Sequence, residues 1–226
     1  MRNKIIYILL ISIYSCGFAL ANEAEFAKVI HLDSLAESAF EGKHTRLAID
    51  KEIRPKSIIK TGPGSMVIVA LDPDMQRVVF VGQYSKVYLE SLNPPKLYLV
   101  QGNAMTLSNG KVDELLEVST TSLIAKSNVG SMDVTHKGQT SRLAIVDRGG
   151  FVHSLKPNKR PLNNTPHQMG PGKTVLIGGD HQPPLKFADT DEKQNNFYLR
   201  KLKFIKSTID AYQIKNPKES KESKEV

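Results

Sequence analysis

The sequence predicts an all-β domain of short antiparallel hairpins, followed by one amphipathic helix near the C-terminus. From about residue 25 to 188, short runs rich in Val, Ile, Leu and Tyr alternate with Gly, Pro, Asn and Asp. This is the pattern of strands joined by turns. No long segment there has a 3.6-residue period, so βαβ units are not expected. The hairpins are expected to stack either as a sandwich or as a short solenoid, and the pattern does not decide between them.

The first 21 residues predict a secretory signal peptide. Arg2 and Lys4 precede the apolar run IIYILLISIY, and Ala19-Leu20-Ala21 follows before a polar stretch. A positive start, a short apolar middle and small residues at −3 and −1 define such a peptide, with cleavage after Ala21. A run of ten residues is short for a membrane span, which needs about 20. An uncleaved anchor is the alternative.

Cys16 is the single cysteine of the chain. It could accept a lipid in the stretch IYSC, although the bulky Tyr14 fits a lipoprotein signal poorly and the Ala-Leu-Ala site competes. Cleavage after Ala21 would leave no cysteine, so the exported domain would be held by its core without disulfides. The expected location is therefore the periplasm of a bacterium or its exterior.

Residues 22–188 form the predicted β-domain. Leu47 and Ile49 alternate with Arg46 and Asp50, which indicates a half-exposed strand. MVIVAL and RVVFV are apolar on both faces, which predicts central strands covered on both sides. The predicted strand segments are AKVIHL (27–32), HTRLAIDKEI (44–53), KSIIKT (56–61), MVIVAL (66–71), RVVFVG (77–82), SKVYLE (85–90), KLYLVQG (96–102), ELLEVST (114–120), SLIAKS (122–127) and KTVLIGG (173–179).

The stretch SNVGSMDVTHKGQTSRLAIVDRGGFVHSL (127–155) contains three alternating runs, separated by HKGQ and DRGG. Both breaks are typical of tight turns between paired strands. Gly130 and Gly149 are expected to adopt backbone angles that other residues resist, with Gly149 at positive φ. The stretch is interpreted as a hairpin and the strand that leads into it, which is architecture and not an active site.

Residues 189–214 predict a helix, because they contain no Gly or Pro and carry one apolar stripe. Asp189 and Glu192 resemble a capping box at its start. The stripe either packs on the sheet or docks to another protein or a membrane surface. Residues 215–226 are polar and repetitive, which indicates a disordered tail. The residues of the stripe are Tyr198, Leu202, Ile205, Ile209 and Tyr212.

The order of these motifs resembles the FecR domain, the extracytoplasmic β-domain of FecR-like regulators, over residues 40–180. Asp133 departs from the family pattern, in which an aromatic residue is commoner. The resemblance implies an all-β extracytoplasmic domain; the family's cytoplasmic, sigma-factor-binding region is not expected in this chain. The residues that carry the resemblance are Ile59, Thr61, Gly62 and Ser65, then Leu99 and Gly102, then Val129, Gly130, Ser131 and Val134, and finally Leu143, Ile145, Gly149 and Val152.

Catalytic, metal and cofactor sites are not expected. Gly172-Lys173-Thr174 ends like a phosphate loop, but His167 stands where its first Gly is required. The six histidines are isolated, without the spacing of a zinc site. Ser65 is not in a Gly-x-Ser-x-Gly motif. The net charge of +8 is spread without a run of five Lys or Arg, which favours solubility over nucleic-acid binding.

The favoured function is a non-enzymatic extracytoplasmic binding module that docks to an envelope protein or to peptidoglycan, with a role in signalling. The positive charge mildly favours an acidic partner. One alternative is a structural subunit of an envelope machine that docks through the C-terminal helix. A cell-wall glycan enzyme is the least supported alternative. Membrane contact is expected only if Cys16 is lipidated or the signal peptide is retained.

Overall fold

The computed structural model describes residues 26–109, 115–155, 166–178 and 187–217. The predicted signal peptide, with Cys16, Ala19 and Ala21, lies outside the described residues, as does most of the predicted tail. The described chain forms 17 strands and the helix α1 (Glu192–Lys215). The strands are β1 (Ala27–Asp33), β2 (Ala36–Phe40), β3 (Lys43–Arg46), β4 (Glu52–Ile53), β5 (Ile58–Thr61), β6 (Met66–Ala70), β7 (Arg77–Val81), β8 (Lys86–Leu92), β9 (Pro95–Ser108), β10 (Leu116–Ser119), β11 (Leu123–Ser127), β12 (Gly130–Lys137), β13 (Thr140–Arg148), β14 (Gly150–Ser154), β15 (His167–Met169), β16 (Lys173–Gly178) and β17 (Phe187–Asp189).

The strands pair in two layers that meet in β9. Layer A runs in the order β4, β1, β6, β7, β9, β12, β13, β16 and β17. Layer B runs in the order β3, β2, β5, β8, β9, β10, β11, β14 and β15. Residues 95–101 of β9 pair in layer B, and residues 102–108 pair in layer A. All pairs are antiparallel except β9 with β10.

The chain alternates between the layers, usually one hairpin at a time. After the hairpin of β6 and β7 in layer A it enters layer B, and the hairpins β10–β11, β12–β13, β14–β15 and β16–β17 then alternate from layer to layer. The all-β prediction with one C-terminal helix is confirmed. The sandwich and the stacked-hairpin alternatives both describe this architecture, because hairpins that alternate between two layers also form a sandwich.

The core lies between the layers and comes from alternate side chains of facing strands. Val67 and Val69 of layer A and Leu97 and Leu99 of layer B are fully buried there. Strands β6 and β7 are buried on their second face too, which confirms the prediction of central strands covered on both sides. Each large apolar side chain buried in this way stabilises the fold by about 1.5–3 kcal/mol.

Helix α1 packs on the outer face of layer A. Its stripe, Tyr198, Leu202, Ile205, Ile209 and Tyr212, is buried in a second apolar cluster with outward side chains of the layer, such as Ile68 and Met105. The packing interpretation of the stripe is therefore confirmed. A partner could reach this face only after the helix had left the sheet.

The helix begins later than the capping-box prediction placed it. Asp191 is the N-cap, and its side chain accepts a hydrogen bond from the Lys193 backbone nitrogen at 2.8 Å. Asp189 instead ends β17 and forms an ion pair with Lys173 at 2.6 Å. The prediction of Asp189 as cap was wrong because the edge strand β17 extends to that residue.

The turn at HKGQ joins β12 to β13 as predicted, but DRGG does not close a hairpin. Strand β13 pairs with β12 and β16, whereas β14 pairs with β11 and β15 in the other layer. The left-handed residue at this corner is Arg148, with φ of 62°, and not Gly149. A Cβ at Gly150 would lie 2.9 Å from Ile145 Cδ1 and 3.0 Å from the Lys126 carbonyl oxygen. A side chain at Gly150 would therefore crowd both neighbours.

The predicted half-exposed strand at 44–53 is also wrong in its second part. Strand β3 ends at Arg46, and the Lys51 backbone nitrogen donates to the Ala48 oxygen at 3.2 Å in a turn. Leu47 is buried while Ile49 is 53% exposed. The alternation that suggested a strand therefore belongs to a turn.

Candidate functional site

Thr61, Gly62 and Ser65, the first group of motif residues, hold a corner of the fold. The Thr61 hydroxyl donates to the Gly82 carbonyl and accepts a hydrogen bond from the Ser85 backbone nitrogen at 2.9 Å. The Ser65 hydroxyl accepts from the Leu35 backbone nitrogen at 3.2 Å. The Thr61 bonds connect the end of β5 to the turn between β7 and β8. The Ser65 bond connects the turn between β5 and β6 to the turn between β1 and β2.

Gly102 lies against the same corner, where β9 passes from layer B to layer A. Its φ is +94°, and a Cβ there would lie 2.5 Å from the Ser85 Cα. Only glycine adopts this angle without strain and leaves room for Ser85. The Ser85 hydroxyl in turn accepts from the Asn103 backbone nitrogen at 2.9 Å.

Gly130, Ser131 and Gly149 lie at a second corner, where the chain passes from β11 to β12 and from β13 to β14. Gly130 has φ of +112°, and a Cβ would lie 2.3 Å from the Asp147 carbonyl oxygen. Ser131 is buried beside it, and its hydroxyl has no partner among the described residues. The Gly149 carbonyl accepts from the Ser127 hydroxyl at 3.0 Å. At both corners side-chain hydroxyls bond the backbone of neighbouring segments. Thr61 and Gly62 also line a groove at the edge of layer B.

His136 has a serine within hydrogen-bond distance, but the pair is sealed from solvent. Its Nδ1 lies 2.8 Å from the Ser141 hydroxyl, and Ser141 is 0% exposed. Thr120 and Ser122 each place a hydroxyl 2.7 Å from the same serine. Burial lowers the pKa of His136 below its usual range. A substrate could not reach this serine, so the cluster is a buried hydrogen-bond network with a structural role.

A buried ion pair connects α1 to layer A. Lys201 Nζ lies 2.7 Å from Asp133 Oδ2, and the two side chains are 8% and 2% exposed. The Asn103 amide donates to Asp133 Oδ1 at 2.7 Å and accepts from Lys201. The ammonium group also lies 4.4 Å from the centre of the Phe80 ring. Asp133, which departs from the family pattern, is thus explained by its partner on the helix.

A groove of about 580 Å³ opens beside this ion pair, between α1 and the outer face of layer A. We call it the helix groove. Its walls carry the apolar side chains Met66, Phe80, Phe197 and Phe204. Phe197 is 62% exposed at the rim, although it is a large aromatic residue.

Tyr198 lies in the same groove, below the first turns of α1. It is 2% exposed, and its hydroxyl has no hydrogen-bond partner among the described residues. Burial, with a contribution from the charge of Asp133, raises its pKa to about 12. The guanidinium of Arg142 lies 5.8 Å from the centre of its ring.

A second groove, of about 590 Å³, lies at the edge of layer B. Its charged groups satisfy one another, because Glu37 Oε1 lies 3.1 Å from Lys60 Nζ and 3.3 Å from His44 Nδ1. The hydrogen bond from Lys60 lowers the pKa of Glu37. These groups are largely exposed, so the pairs contribute little to stability.

The outer face of layer B differs from that of layer A in that no helix covers it in the described part of the chain. Strand alternation points Ile58, Tyr88, Tyr98 and Ile124 outward. Ile58 pairs with Tyr88, Tyr88 with Tyr98, and Ser119 with both Tyr98 and Ile124. With Ser119 of β10 between Tyr98 and Ile124, these residues form one row across β5, β8, β9, β10 and β11, which we call the layer B row.

No group of three or more His, Cys, Asp or Glu side chains that could hold a metal ion occurs within the described ranges. Among those same residues, no helix is both long enough and apolar enough to cross a membrane.

Comparison with solved structures supports the architecture. Two crystal structures, at 1.65 and 2.50 Å resolution, of a "putative anti-sigma factor" from Parabacteroides distasonis ATCC 8503 resemble this chain with a TM-score of 0.50 and 14% sequence identity. The likeness covers 63% of this chain and 64% or 63% of those chains, so it spans less than two thirds of them. At this identity the likeness concerns the fold. No protein-family model and no curated protein matches the chain.

Sequence reasoning missed the helix groove and its polar residues. Lys201, Asn103 and Arg142 stand in no motif. Lys201 is 98 positions from Asn103 and 68 from Asp133. One signal was available: Asp133 interrupts an apolar strand where the family pattern has an aromatic residue. A carboxylate at such a position requires a buried partner.

Proposed function

We propose that the chain is a FecR-like extracytoplasmic binding module with a role in signalling, and that it acts by contact without catalysing a reaction. The observation that carries the proposal is the layer B row, a partly apolar surface that no helix covers within the described ranges. The similarity of the fold to a solved putative anti-sigma structure supports the signalling context.

The chemistry of the layer B row fits a protein or a wall polymer. Tyrosine rings offer large, rigid contact area with a polar tip, which suits interfaces of both kinds. Lys86 and Lys96 extend from the same strands, and Glu117 is paired with Lys126 at 2.9 Å. This mixture of aromatic and basic groups favours a partner that carries carboxylates, such as the peptide stems of peptidoglycan or an acidic protein surface.

The alternative of docking through α1 is less well supported. The apolar stripe that would serve as the docking face is buried against layer A. An envelope-machine subunit could still use the exposed side of the helix, and the same experiment distinguishes the two surfaces.

The test uses the mature protein and two matched sets of variants. Tyr88→Ala and Ile124→Ser change the layer B row, whereas Leu199→Ala and Ile214→Ala change exposed apolar residues of α1. Sedimentation with purified peptidoglycan at low and high salt measures polymer binding, and photocrosslinking from position 88 in envelope extract identifies a protein contact.

The proposal predicts that the layer B variants lose most binding while the α1 variants retain it. Salt-sensitive sedimentation would assign the polymer as partner, and a crosslink from position 88 that Ile124→Ser abolishes would assign a protein. Binding lost only in the α1 variants, or soluble glycan fragments released from peptidoglycan, would contradict the proposal.

A further inference from the structure

We propose that the helix groove is a binding site for a small anionic ligand with an apolar or aromatic body. This inference goes beyond the proposed contact function, because it concerns the opposite layer and a different class of ligand.

The size and lining of the groove suit such a molecule. A volume of about 580 Å³ lies within the range of about 300–1,000 Å³ found for small-molecule sites. Phe80 and Phe204 line one end of the groove with aromatic surface, and Phe197 extends from the rim. A ring or an alkyl chain placed between these side chains would be removed from contact with water.

The charges of the groove favour an anion. Lys201 is neutralised by Asp133, so it adds no net charge. Arg142 and Arg200 also line the groove, and neither forms an ion pair with a carboxylate in the described ranges. Two guanidinium groups without a carboxylate attract a carboxylate, sulfonate or phosphate and bind it with charge-assisted hydrogen bonds.

The hydroxyl of Tyr198 is an independent indication of a ligand. It is buried without a hydrogen-bond partner among the described residues, which is unfavourable because the hydroxyl has lost its bonds to water. The raised pKa keeps the hydroxyl protonated, so it remains a donor. A ligand anion that entered between Arg142 and α1 would accept this hydrogen bond and remove the cost.

The probe is 1-anilinonaphthalene-8-sulfonate, an aromatic sulfonate whose fluorescence rises on leaving water. Its uncharged analogue, N-phenyl-1-naphthylamine, has the same rings without the sulfonate. The variants are Arg200→Gln and Phe197→Ala, both at exposed positions, so folding is not at risk. Lys203→Gln and Leu199→Ala are the controls, because they change another basic and another large apolar residue at exposed positions of the helix that do not line the groove.

The expected result is saturable sulfonate binding with a 1:1 stoichiometry. Arg200→Gln should weaken it about 10-fold, as expected for loss of one charge-assisted hydrogen bond, and should leave binding of the uncharged analogue unchanged. Phe197→Ala should weaken both probes, and the controls should weaken neither. Displacement by decanoate or by 3-phenylpropionate then distinguishes an alkyl from an aromatic carboxylate as the preferred body.

Absence of binding, or binding that the groove variants and the controls change equally, would overturn the proposal. The layer B variants serve as a further reference. They should leave probe binding intact, so failure of the groove site and failure of the contact function can be told apart.

Discussion

The two layers of this protein use their outer faces in opposite ways. Layer A is covered by α1, which buries an apolar stripe and a charged pair against it. In the described part of the chain no helix covers layer B, and its outward tyrosines and isoleucines are only partly buried. Both layers have the same strand alternation and share one core, so their inward faces do not explain the difference. It arises because the outward residues of β6, β7 and β9 are apolar and accept a helix, while those of β8 and β10 alternate with charged groups.

The strongest test of the comparison breaks the ion pair between α1 and layer A. Asp133→Ala should lower the free energy of unfolding by about 3–5 kcal/mol, because it leaves the Lys201 charge buried without a partner. Urea denaturation followed by circular dichroism measures the change. The double variant Asp133→Leu/Lys201→Met should recover most of the loss, since an apolar pair replaces two buried charges. A single variant as stable as the parent would show that the pair does not anchor the helix.

Truncation of outward side chains sharpens the comparison further. Ile205→Ala, on the covered side, should cost about 2–5 kcal/mol because it leaves a cavity under the helix. Tyr88→Ala, in the layer B row, should cost about 1 kcal/mol or less, as expected for a cross-strand pair on a solvated face. Chemical denaturation of both variants gives the two values. Equal losses would mean that layer B is also covered in solution.

The passages between the layers give a third contrast. Gly130→Ala should destabilise by about 1–3 kcal/mol, because it places a Cβ against the Asp147 carbonyl at a strained backbone angle. Gly149→Ala should cost less, since Gly149 is not in the left-handed region and its Cβ would lie 3.3 Å from the Met169 carbonyl. Thermal melting of the two variants decides the matter. A larger loss at Gly149 would refute the assignment of the left-handed residue to Arg148.

The smallest expected effect concerns pH. Burial lowers the pKa of His136 in the folded state, so the unfolded chain binds a proton more readily. Stability should therefore fall as pH decreases from about 6.5, the pKa of His136 in the unfolded chain, towards its lower pKa in the folded state. Above pH 6.5 the contribution of His136 to stability should not change with pH. His136→Gln should reduce this fall, measured as the difference in unfolding free energy between pH 7 and pH 5. An identical fall in parent and variant would assign the pH dependence to other groups.

Local patterns predicted the strands and the helix because alternation and the stripe at Tyr198 to Tyr212 report directly which side chains are buried. The turn at HKGQ followed from the residues that such a turn requires. The corner at DRGG did not, because two glycines fit a hairpin and a layer crossing equally well, and only pairing with β11 decides. Lys201 and Asp133 are 68 positions apart, so nothing local shows that they meet. The helix groove could not be predicted for the same reason, because its lining residues lie between positions 66 and 204.

Hydrogen exchange of α1 in the uncomplexed protein tests the central claim most directly, namely that the helix is a fixed cover of layer A. Amides of residues 198–212 should exchange as slowly as those of β6, because helix and strand are held by one apolar cluster and should open together. Fast exchange of these helix amides alongside full protection of β6 would contradict the account, since the stripe would then be accessible to a partner.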